Sequence, residues 1–504
     1  MLAKVISAAI DGIEALPVTV EAFETRGLPG TTVVGLGDTS VKEAVARVRA
    51  AVSNSGSKYP DGHITVNLSP AWLHKSGSHF DLSMAVSVLS STGAVFDRRT
   101  ERTAFIGELS LDGMVKGCRG VLPMLLALAE EGVERAVVPL DNMEEAKLAE
   151  GIEVLGASSL GEVIGWLNLN GTELASTAPD QPLAGIIYPD YSEIKGQEQA
   201  KRAILVAAAG GHGILITGSP GTGKTMLAER LPGILPMPSR EEQLEIASIY
   251  SVAGARAPGR GRGTERPFRA PGVNLTLPGL LGNGAPPMPG EVTLAHKGVL
   301  FLDEFRERDR KVVEALRVPL EEREIRLVRK GRTYIYPADI TFAAASNPCK
   351  CGFYGDPAKE CTCSATEIAK YRSRISGPVG DRIDIHVNLS APAFREMEGE
   401  DSECMNTEEM RRIVEEARRI QETRYREESF SLNSALPGHL APKYCLFGDG
   451  VTDLLRQAYD TLKLSPRSLV KLKRIARTIA DIEGARAVEI DHVMEALQYR
   501  ERQV

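Results

Sequence analysis

Three short stretches of this chain carry residue types and spacings suited to handling a triphosphate. The first is Gly218-Ser219-Pro220-Gly221-Thr222-Gly223-Lys224-Thr225. Glycines let such a loop curl so that successive backbone N–H groups face phosphate oxygens. A helix start behind it favours anions, Lys224 reaches the outer phosphates, and Thr225 is a magnesium ligand. The second stretch is the pair Asp303-Glu304, which closes the apolar run Gly298-Val299-Leu300-Phe301-Leu302. Asp303 suits the metal side and Glu304 suits the base that activates water. The third is Asn347, which follows the apolar run Ile340-Thr341-Phe342-Ala343-Ala344-Ala345 and offers an amide to orient that water. Arg382 and Arg467 are candidate cations for the charge that develops during phosphoryl transfer. An Asp-Glu pair ending a strand is also an ordinary capped turn, and a lone arginine is also a surface ion pair. Their combination with Lys224 is what points to ATP hydrolysis.

These residues need a frame, and the surrounding pattern provides one. The loop 218–225 sits between the apolar run Gly213-Ile214-Leu215-Ile216 and the helical pattern Met226-Leu227-Ala228-Glu229-Arg230, which is the strand-to-helix setting a phosphate loop requires. From Tyr191 to Leu389 strands and helices alternate, as in a parallel sheet with crossover helices. Before this, residues 1–170 alternate short apolar runs, such as Pro17-Val18-Thr19-Val20 and His63-Ile64-Thr65-Val66-Asn67-Leu68, with helical stretches such as 41–52, and predict a mixed α/β domain. The polar, proline-bearing segment 171–184 reads as a linker. Beyond Ser402 the period becomes helical. Met410, Ile413, Val414, Ala417 and Ile420 share one face, as do Leu454, Leu455, Ala458 and Leu462, and then Leu469, Leu472, Ala476 and Ile479. The chain is therefore divided into 1–170, a linker 171–184, an ATPase core 185–395 and a helical module 396–504, a multidomain α/β protein overall.

Composition bounds the remaining classes. With 504 residues, 25% charged and 5% aromatic, this is a globular chain with room for about three cores. No run approaches a membrane span and no apolar leader opens the chain, so the cytoplasm is expected and no membrane partner is. A net charge of −7 argues against general adhesion to nucleic acid and requires any such surface to be local. Seven cysteines, four of them in Cys349-x-Cys351 and Cys361-x-Cys363, do not form the framework of a secreted disulfide domain. Four soft ligands around a glycine-rich loop suit tetrahedral zinc, and free thiols are the other reading.

Stretches along nearly the whole chain resemble one family, the magnesium-chelatase-like AAA+ ATPases of the YifB/ComM type. They include Val66-Asn67-Leu68-Ser69-Pro70-Ala71, Gly107-Glu108-Leu109-Ser110-Leu111-Asp112-Gly113, Arg266-Pro267-Phe268-Arg269-Ala270-Pro271, Ala295-His296-Lys297-Gly298 running into Asp303-Glu304, Asn347-Pro348-Cys349-Lys350-Cys351-Gly352, Asp381-Arg382-Ile383-Asp384 and Arg474-Ile475-Ala476-Arg477. The resemblance implies a central AAA+ P-loop domain that binds ATP and Mg2+, a C-terminal helical lid, and a ring, usually hexameric, with each ATP held between neighbours. It also implies that Arg382 is an arginine finger acting in trans and that Arg467, at the start of a lid helix, is the second sensor. Gly272-Val273, where a histidine pair is usual, and Pro378-Val379-Gly380, where two leucines are common, depart from the family and leave the ATP residues untouched.

The resemblance also implies an S5/Lon-protease-like α+β fold for the N-terminal domain. A serine-lysine peptidase needs both partners. His79 stands where the serine would be, and Val121-Leu122-Pro123-Met124 covers the region of the lysine, so a scaffold or binding module is expected.

Two basic stretches have the composition to face a polyanion. One is Arg256, Arg260, Arg262, Arg266 and Arg269. The other is Arg323, Arg326, Arg329, Lys330 and Arg332, on a predicted hairpin turned by Gly331 where related ring helicases place a pore hairpin. Glu321, Glu322 and Glu324 partly neutralise the second, so a solvated charged face is its other reading. The sequence thus predicts an ATP-hydrolysing ring motor, with DNA translocation or branch migration of the ComM type, in recombination or natural transformation, as the leading function. A protein-remodelling or metal-chelatase-like motor is the alternative.

Overall fold

A computed structural model describes residues 1–95, 97–176, 188–259, 261–284, 286–329, 331–375, 377–390 and 405–500. Arg260, Lys330 and Cys404, most of the predicted linker and the predicted boundary at 395/396 lie outside the described residues.

Alternating apolar positions in the opening residues produce a long antiparallel hairpin, Leu2–Asp11 against Glu14–Thr25, in register from Leu2 opposite Phe23 to Asp11 opposite Glu14. Gly12 turns it at φ +75°. The hairpin forms the centre of an eight-stranded mixed sheet. Its order is Ala175–Ser176, Glu153–Ala157, Arg135–Pro139, Thr103–Phe105, Leu2–Asp11, Glu14–Thr25, His63–Ser69, Gly30–Val34. Because side chains alternate across a strand, Val5 and Ala9 join one core with the helices Thr39–Asn54, Asp81–Ser91 and Leu160–Leu167, while Ala8 joins another with Val121–Glu130. Ala175–Ser176, inside the segment read as a linker, pairs with the sheet edge, so this unit extends at least to Ser176.

The second sheet has five parallel strands in the order Phe268–Arg269, Val299–Leu302, Thr341–Ser346, Ile214–Gly218, Ile385–Leu389. All their C-terminal ends therefore meet at one edge, where open α/β sheets present ligand sites. Alternation again divides the faces. Ile214, Ile216, Phe301, Ala343 and Val387 point to the helix Glu198–Gly210, whereas Leu215, Leu300, Phe342 and Ala344 point to Val312, Val313 and the hairpin residues Ile325 and Tyr336.

The C-terminal helices Thr407–Arg424, Val451–Thr461, Pro466–Ile482 and Ile490–Gln498 bury their apolar stripes in the same core as Glu198–Gly210. Met410, Val414 and Ala417 are buried as expected, whereas Leu462 is 38% exposed because it lies past the end of its helix. Gln421 and Arg418 donate to the carbonyls of Ala209 and Ala208, so the helical module caps the last turn of that helix. On the other side, Arg240–Ala253 packs on Val121–Glu130, with Leu122, Ile246 and Tyr250 in one small core and Gly120 N–H donating to Ser251 at 2.9 Å.

Candidate functional site

The phosphate loop leaves the strand Ile214–Gly218 at the ligand edge, and three of its glycines are fixed by different constraints. Gly221 and Gly223 have φ of +81° and +87°, a region costly for side chains. Gly218 is limited by space, because a Cβ there would lie 2.8 Å from Thr222 Oγ1 and 2.9 Å from Leu389 Cβ. Thr222 Oγ1 donates to Ser219 O at 2.9 Å and closes the turn. Lys224 lies across the mouth of the loop, donating to Gly218 O at 2.8 Å, Ser219 O at 2.9 Å and Asn347 Oδ1 at 3.3 Å. Burial pulls its ammonium below the ordinary lysine value, with Asp303 and Glu304 opposing that pull.

Asp303 follows the neighbouring-but-one strand. Its Oδ2 accepts from Thr225 Oγ1 at 3.1 Å and its Oδ1 from Glu304 N–H at 2.7 Å. A hydroxyl and a carboxylate at this distance are hard oxygen donors of the kind magnesium takes. Glu304 adopts φ +48°, a left-handed conformation that costs energy for a non-glycine residue and turns its exposed carboxylate away from the strand direction. Lys224, Thr225, Asp303, Glu304 and Asn347, which the sequence singled out separately, are thus gathered at one edge.

Arg308 is a member of this edge that sequence reasoning missed. Nearly buried, it donates to Asp303 O at 3.1 Å, Gly272 O at 2.8 Å and Pro271 O at 2.7 Å. It ties the Asp303 turn to the loop at Pro271-Gly272. In the sequence it is one of five consecutive charged residues, Arg306-Glu307-Arg308-Asp309-Arg310, which read as surface charge.

Arg382 and Arg467 are elsewhere. Gly213 O accepts from the N–H groups of Asp384 and Ile385, which places Arg382 at the opposite end of the phosphate-loop strand. Gly213 to Gly218 spans about 16 Å of extended chain. Arg382 pairs with Glu321, is 11% exposed, and keeps its Nε buried without a hydrogen-bond partner among the described residues. Arg467 reaches both Glu321 and Asp381 at 3.7 Å. Together with Arg323 and Arg474 the two arginines line a cavity of about 510 Å³ at that far end.

The four cysteines converge. Cys349 Sγ lies 3.3 Å from Cys351 and 3.7 Å from Cys361, Cys351 lies 3.6 Å from Cys361, and all four sulfurs, Cys363 included, fall within 4.8 Å of one another. Tetrahedral zinc with sulfur bonds of about 2.3 Å needs sulfurs about 3.8 Å apart, close to this spacing. The N–H groups of Phe353 and Thr362 pull the Cys351 thiol down to about 5, whereas burial and the neighbouring thiols push Cys361 and Cys363 up, so full ionisation of the four needs a cation among them.

The basic stretches are largely occupied within the chain. Arg266 is nearly buried against Glu242, Arg269 is bidentate to Glu291, and Arg262 faces Glu144 at 3.8 Å. That stretch joins elements of the fold. The expected hairpin is present as Glu324–Arg329 against Arg332–Pro337, with Gly331 at φ +77°. Arg323 pairs with Asp339 at 3.1 Å, Arg326 with Glu324, and Arg332 with Asp11 of the N-terminal hairpin, while Arg329 donates to Val328 O at 2.9 Å. Val328 and Ile335 stand 62% and 55% exposed on the outer face.

In the N-terminal unit His79 is buried and its Nε2 meets Ala8 O at 2.9 Å, and burial lowers its pKa to about 4. Val121, Leu122 and Met124 are buried in the first turn of their helix.

A five-stranded parallel sheet with a glycine loop, lysine, threonine and an Asp-Glu pair at its carboxyl edge, capped by a helical module, defines the class of P-loop ATPases. Comparison with known proteins specifies the group. Models of the magnesium chelatase subunit ChlI match residues 190–397 and 20–142, and a model of its C-terminal part matches 404–500. An uncharacterized protein of Mycobacterium tuberculosis is 41% identical over 99% of both chains. The protein YifB of Salmonella typhimurium is 38% identical over 99% of this chain and 97% of its own, and the competence protein ComM of Haemophilus influenzae is 36% identical over the same shares. The chain belongs to the YifB/ComM family of magnesium-chelatase-like AAA+ ATPases. No helix among the described residues is long and apolar enough to cross a membrane.

Proposed function

We propose that this ATPase works as a ring, most simply a hexamer, that hydrolyses ATP between adjacent copies and moves along DNA. The observation that carries the reading is the separation of Lys224, Thr225, Asp303, Glu304 and Asn347 at one end of the sheet from Arg382 and Arg467 at the other. A chain whose water-activating group and whose cations occupy opposite ends can combine them only with a second copy.

In this scheme Lys224 neutralises the outer phosphates and the loop N–H groups position them. Thr225 and Asp303 hold magnesium, which when bound neutralises charge on the phosphate oxygens. Glu304 accepts a proton from the attacking water, and Asn347, joined to Lys224, orients that water. Arg382 of the adjacent copy, whose Nε has no hydrogen-bond partner among the described residues of its own chain, meets the charge that builds on the transferred phosphoryl group, and Arg467 beside it reports nucleotide state to the helical module. Cys349, Cys351, Cys361 and Cys363 hold a structural zinc ion. The N-terminal unit, with His79 and Val121 to Met124 buried where a peptidase would need its dyad, serves as a scaffold.

DNA as the cargo is supported by a full-length relative that is named a competence protein and by a hairpin with Arg329 and Arg332 beside its tip. The ion pairs of Arg323, Arg326 and Arg332 favour the second reading, a motor that remodels a protein, since they leave Val328 and Ile335 prominent on the exposed face. Strand-displacement and branch-migration assays with ATP, run beside Glu304→Gln, separate the two. ATP-dependent movement of DNA by the wild type alone supports the first, and intact ATP hydrolysis without any movement of DNA supports the second.

A further inference from the structure

The four-cysteine knuckle lies against the phosphate loop. It begins two residues after Asn347, whose amide receives Lys224. Its first turn passes Pro220 so closely that a Cβ on Gly352 would lie 2.9 Å from Pro220 Cδ, and Gly352 also has φ +90°, so two constraints require glycine there.

Farther along, the nearby Ser219 hydroxyl is the first cause that holds the Asp356 carboxyl below its ordinary value, and Asp356 Oδ1 accepts from the N–H groups of Ala358 and Lys359 at 2.8 and 3.1 Å. The carboxylate thus shapes its own turn while facing the phosphate loop. Asp356, Tyr354 and Pro357 share with Gly218 and Ser219 the wall of a cavity of about 420 Å³. The far side of the turn is fixed as well. Arg372 stacks over Tyr354 at 5.0 Å, from the helix Ala365–Arg372, which starts with a capping box directly after Cys363.

A short loop with this many turns has few apolar contacts to hold it. Its position depends on what joins its two ends, Cys349-Cys351 and Cys361-Cys363. Free thiols permit those ends to separate, whereas a tetrahedral ion does not.

We propose that the knuckle is a metal-dependent positioning device for the phosphate loop, in which an ion on the four cysteines presses Gly352 and Asp356 against Pro220 and Ser219 and so sets nucleotide affinity. No cysteine needs to touch nucleotide for this. Asp356 is a positioning residue acting through Ser219. The proposal rests on the zinc reading above, and the experiment is arranged to fail separately from it.

Full-length protein purified without added metal is assayed for zinc by elemental analysis. The dissociation constant of a slowly hydrolysed ATP analogue is then measured with excess Mg2+, before and after stripping with a chelator that is removed. Wild type, Asp356→Ala, Asp356→Asn and Ser219→Ala are compared. Stripping is expected to weaken binding by wild type about five- to tenfold, the scale of one or two lost hydrogen bonds. Zinc-loaded Asp356→Ala and Ser219→Ala already bind weakly and lose less than about twofold more on stripping, because the route is cut. Asp356→Asn, which can still hydrogen-bond Ser219, restores most of the affinity. For wild type and the two Asp356 variants the KM for ATP follows these changes while kcat at saturation stays within about twofold. Zinc at stoichiometric level with affinity unchanged on stripping, or with Asp356→Ala as sensitive as wild type, overturns the positioning role and leaves structural zinc standing. Absence of zinc, with the thiols titratable, overturns both.

Discussion

Lys224 donates to the side-chain oxygen of Asn347 at 3.3 Å, so the lysine of the phosphate loop and the amide that follows the next strand are joined across two adjacent parallel strands. The same ammonium is held by Gly218 O and Ser219 O. Asn347→Ala therefore leaves Lys224 two of its three acceptors and removes only the amide proposed to orient water. Hydrolysis is expected to fall about tenfold to a hundredfold, with the nucleotide dissociation constant changing less than about threefold. Steady-state phosphate release and equilibrium binding, measured side by side, check this split.

Glu304→Gln keeps the shape of the residue and removes its basicity. Loss of a positioned base costs about a hundredfold to ten-thousandfold in turnover. Binding of ATP should persist, because Thr225 and Asp303 are untouched and their contact is independent of Glu304. Isothermal titration with ATP and a phosphate-release assay on the same preparation decide the matter, and parallel loss of binding would count against the assignment.

The hairpin makes a prediction of opposite sign for two nearby residues. Arg332 is held by Asp11, so Asp11→Asn releases a cation next to the hairpin tip. If DNA passes there, this variant binds it more tightly and with a steeper salt dependence, by about one unit of slope for one added phosphate contact. Arg329→Ala should lower the slope by a similar amount. ATP hydrolysis without DNA stays at the wild-type rate in both. Fluorescence anisotropy over a salt series reads the slopes.

Burial gives two groups of the N-terminal unit opposite effects on acid stability, lowering the pKa of His79 and raising that of Asp81 to about 6. Burial lowers the folded-state pKa of His79 to about 4, while the unfolded chain has the ordinary value near 6.5. As pH falls through that window the unfolded state takes up a proton at His79 that the folded state refuses, so the contribution of His79 is highest above about pH 6.5 and is lost as pH falls. The loss approaches about 3 kcal/mol at pH 4. Hydrogen exchange of Leu2–Asp11, the strand whose Ala8 carbonyl meets His79, should accelerate across this range, and a His79→Gln variant should show a flatter profile.

Legibility in the sequence followed the range of the interactions. Gly218 to Thr225 and Asp303-Glu304 declare themselves because their neighbours in the chain are also their neighbours in space. So does the hairpin around Gly331, whose turn demands φ above zero. Arg308 was invisible because its partners, the carbonyls of Pro271 and Gly272, are backbone groups distant in sequence. Arg266 and Arg269 read as a basic surface for the same reason, since Glu242 and Glu291 come to them only through the fold. Sheet order, with the phosphate-loop strand between Thr341–Ser346 and Ile385–Leu389, likewise depends on pairings that periodicity does not encode. The cysteine pairs were legible as a chelating set, whereas their contact with Pro220 and Ser219 required the backbone path of Gly352.

The central claim is that an ATP site is completed by two copies, and mixing two inactive variants tests it most directly. Arg382→Ala supplies an intact Glu304, and Glu304→Gln supplies an intact Arg382. Each alone should hydrolyse ATP at least about a hundredfold more slowly than wild type. Mixed and allowed to exchange subunits, they should recover a substantial fraction of wild-type phosphate release, because some interfaces then pair a good Glu304 with a good Arg382. A mixture that stays as inactive as its components, under conditions where subunit exchange is verified, would contradict the account.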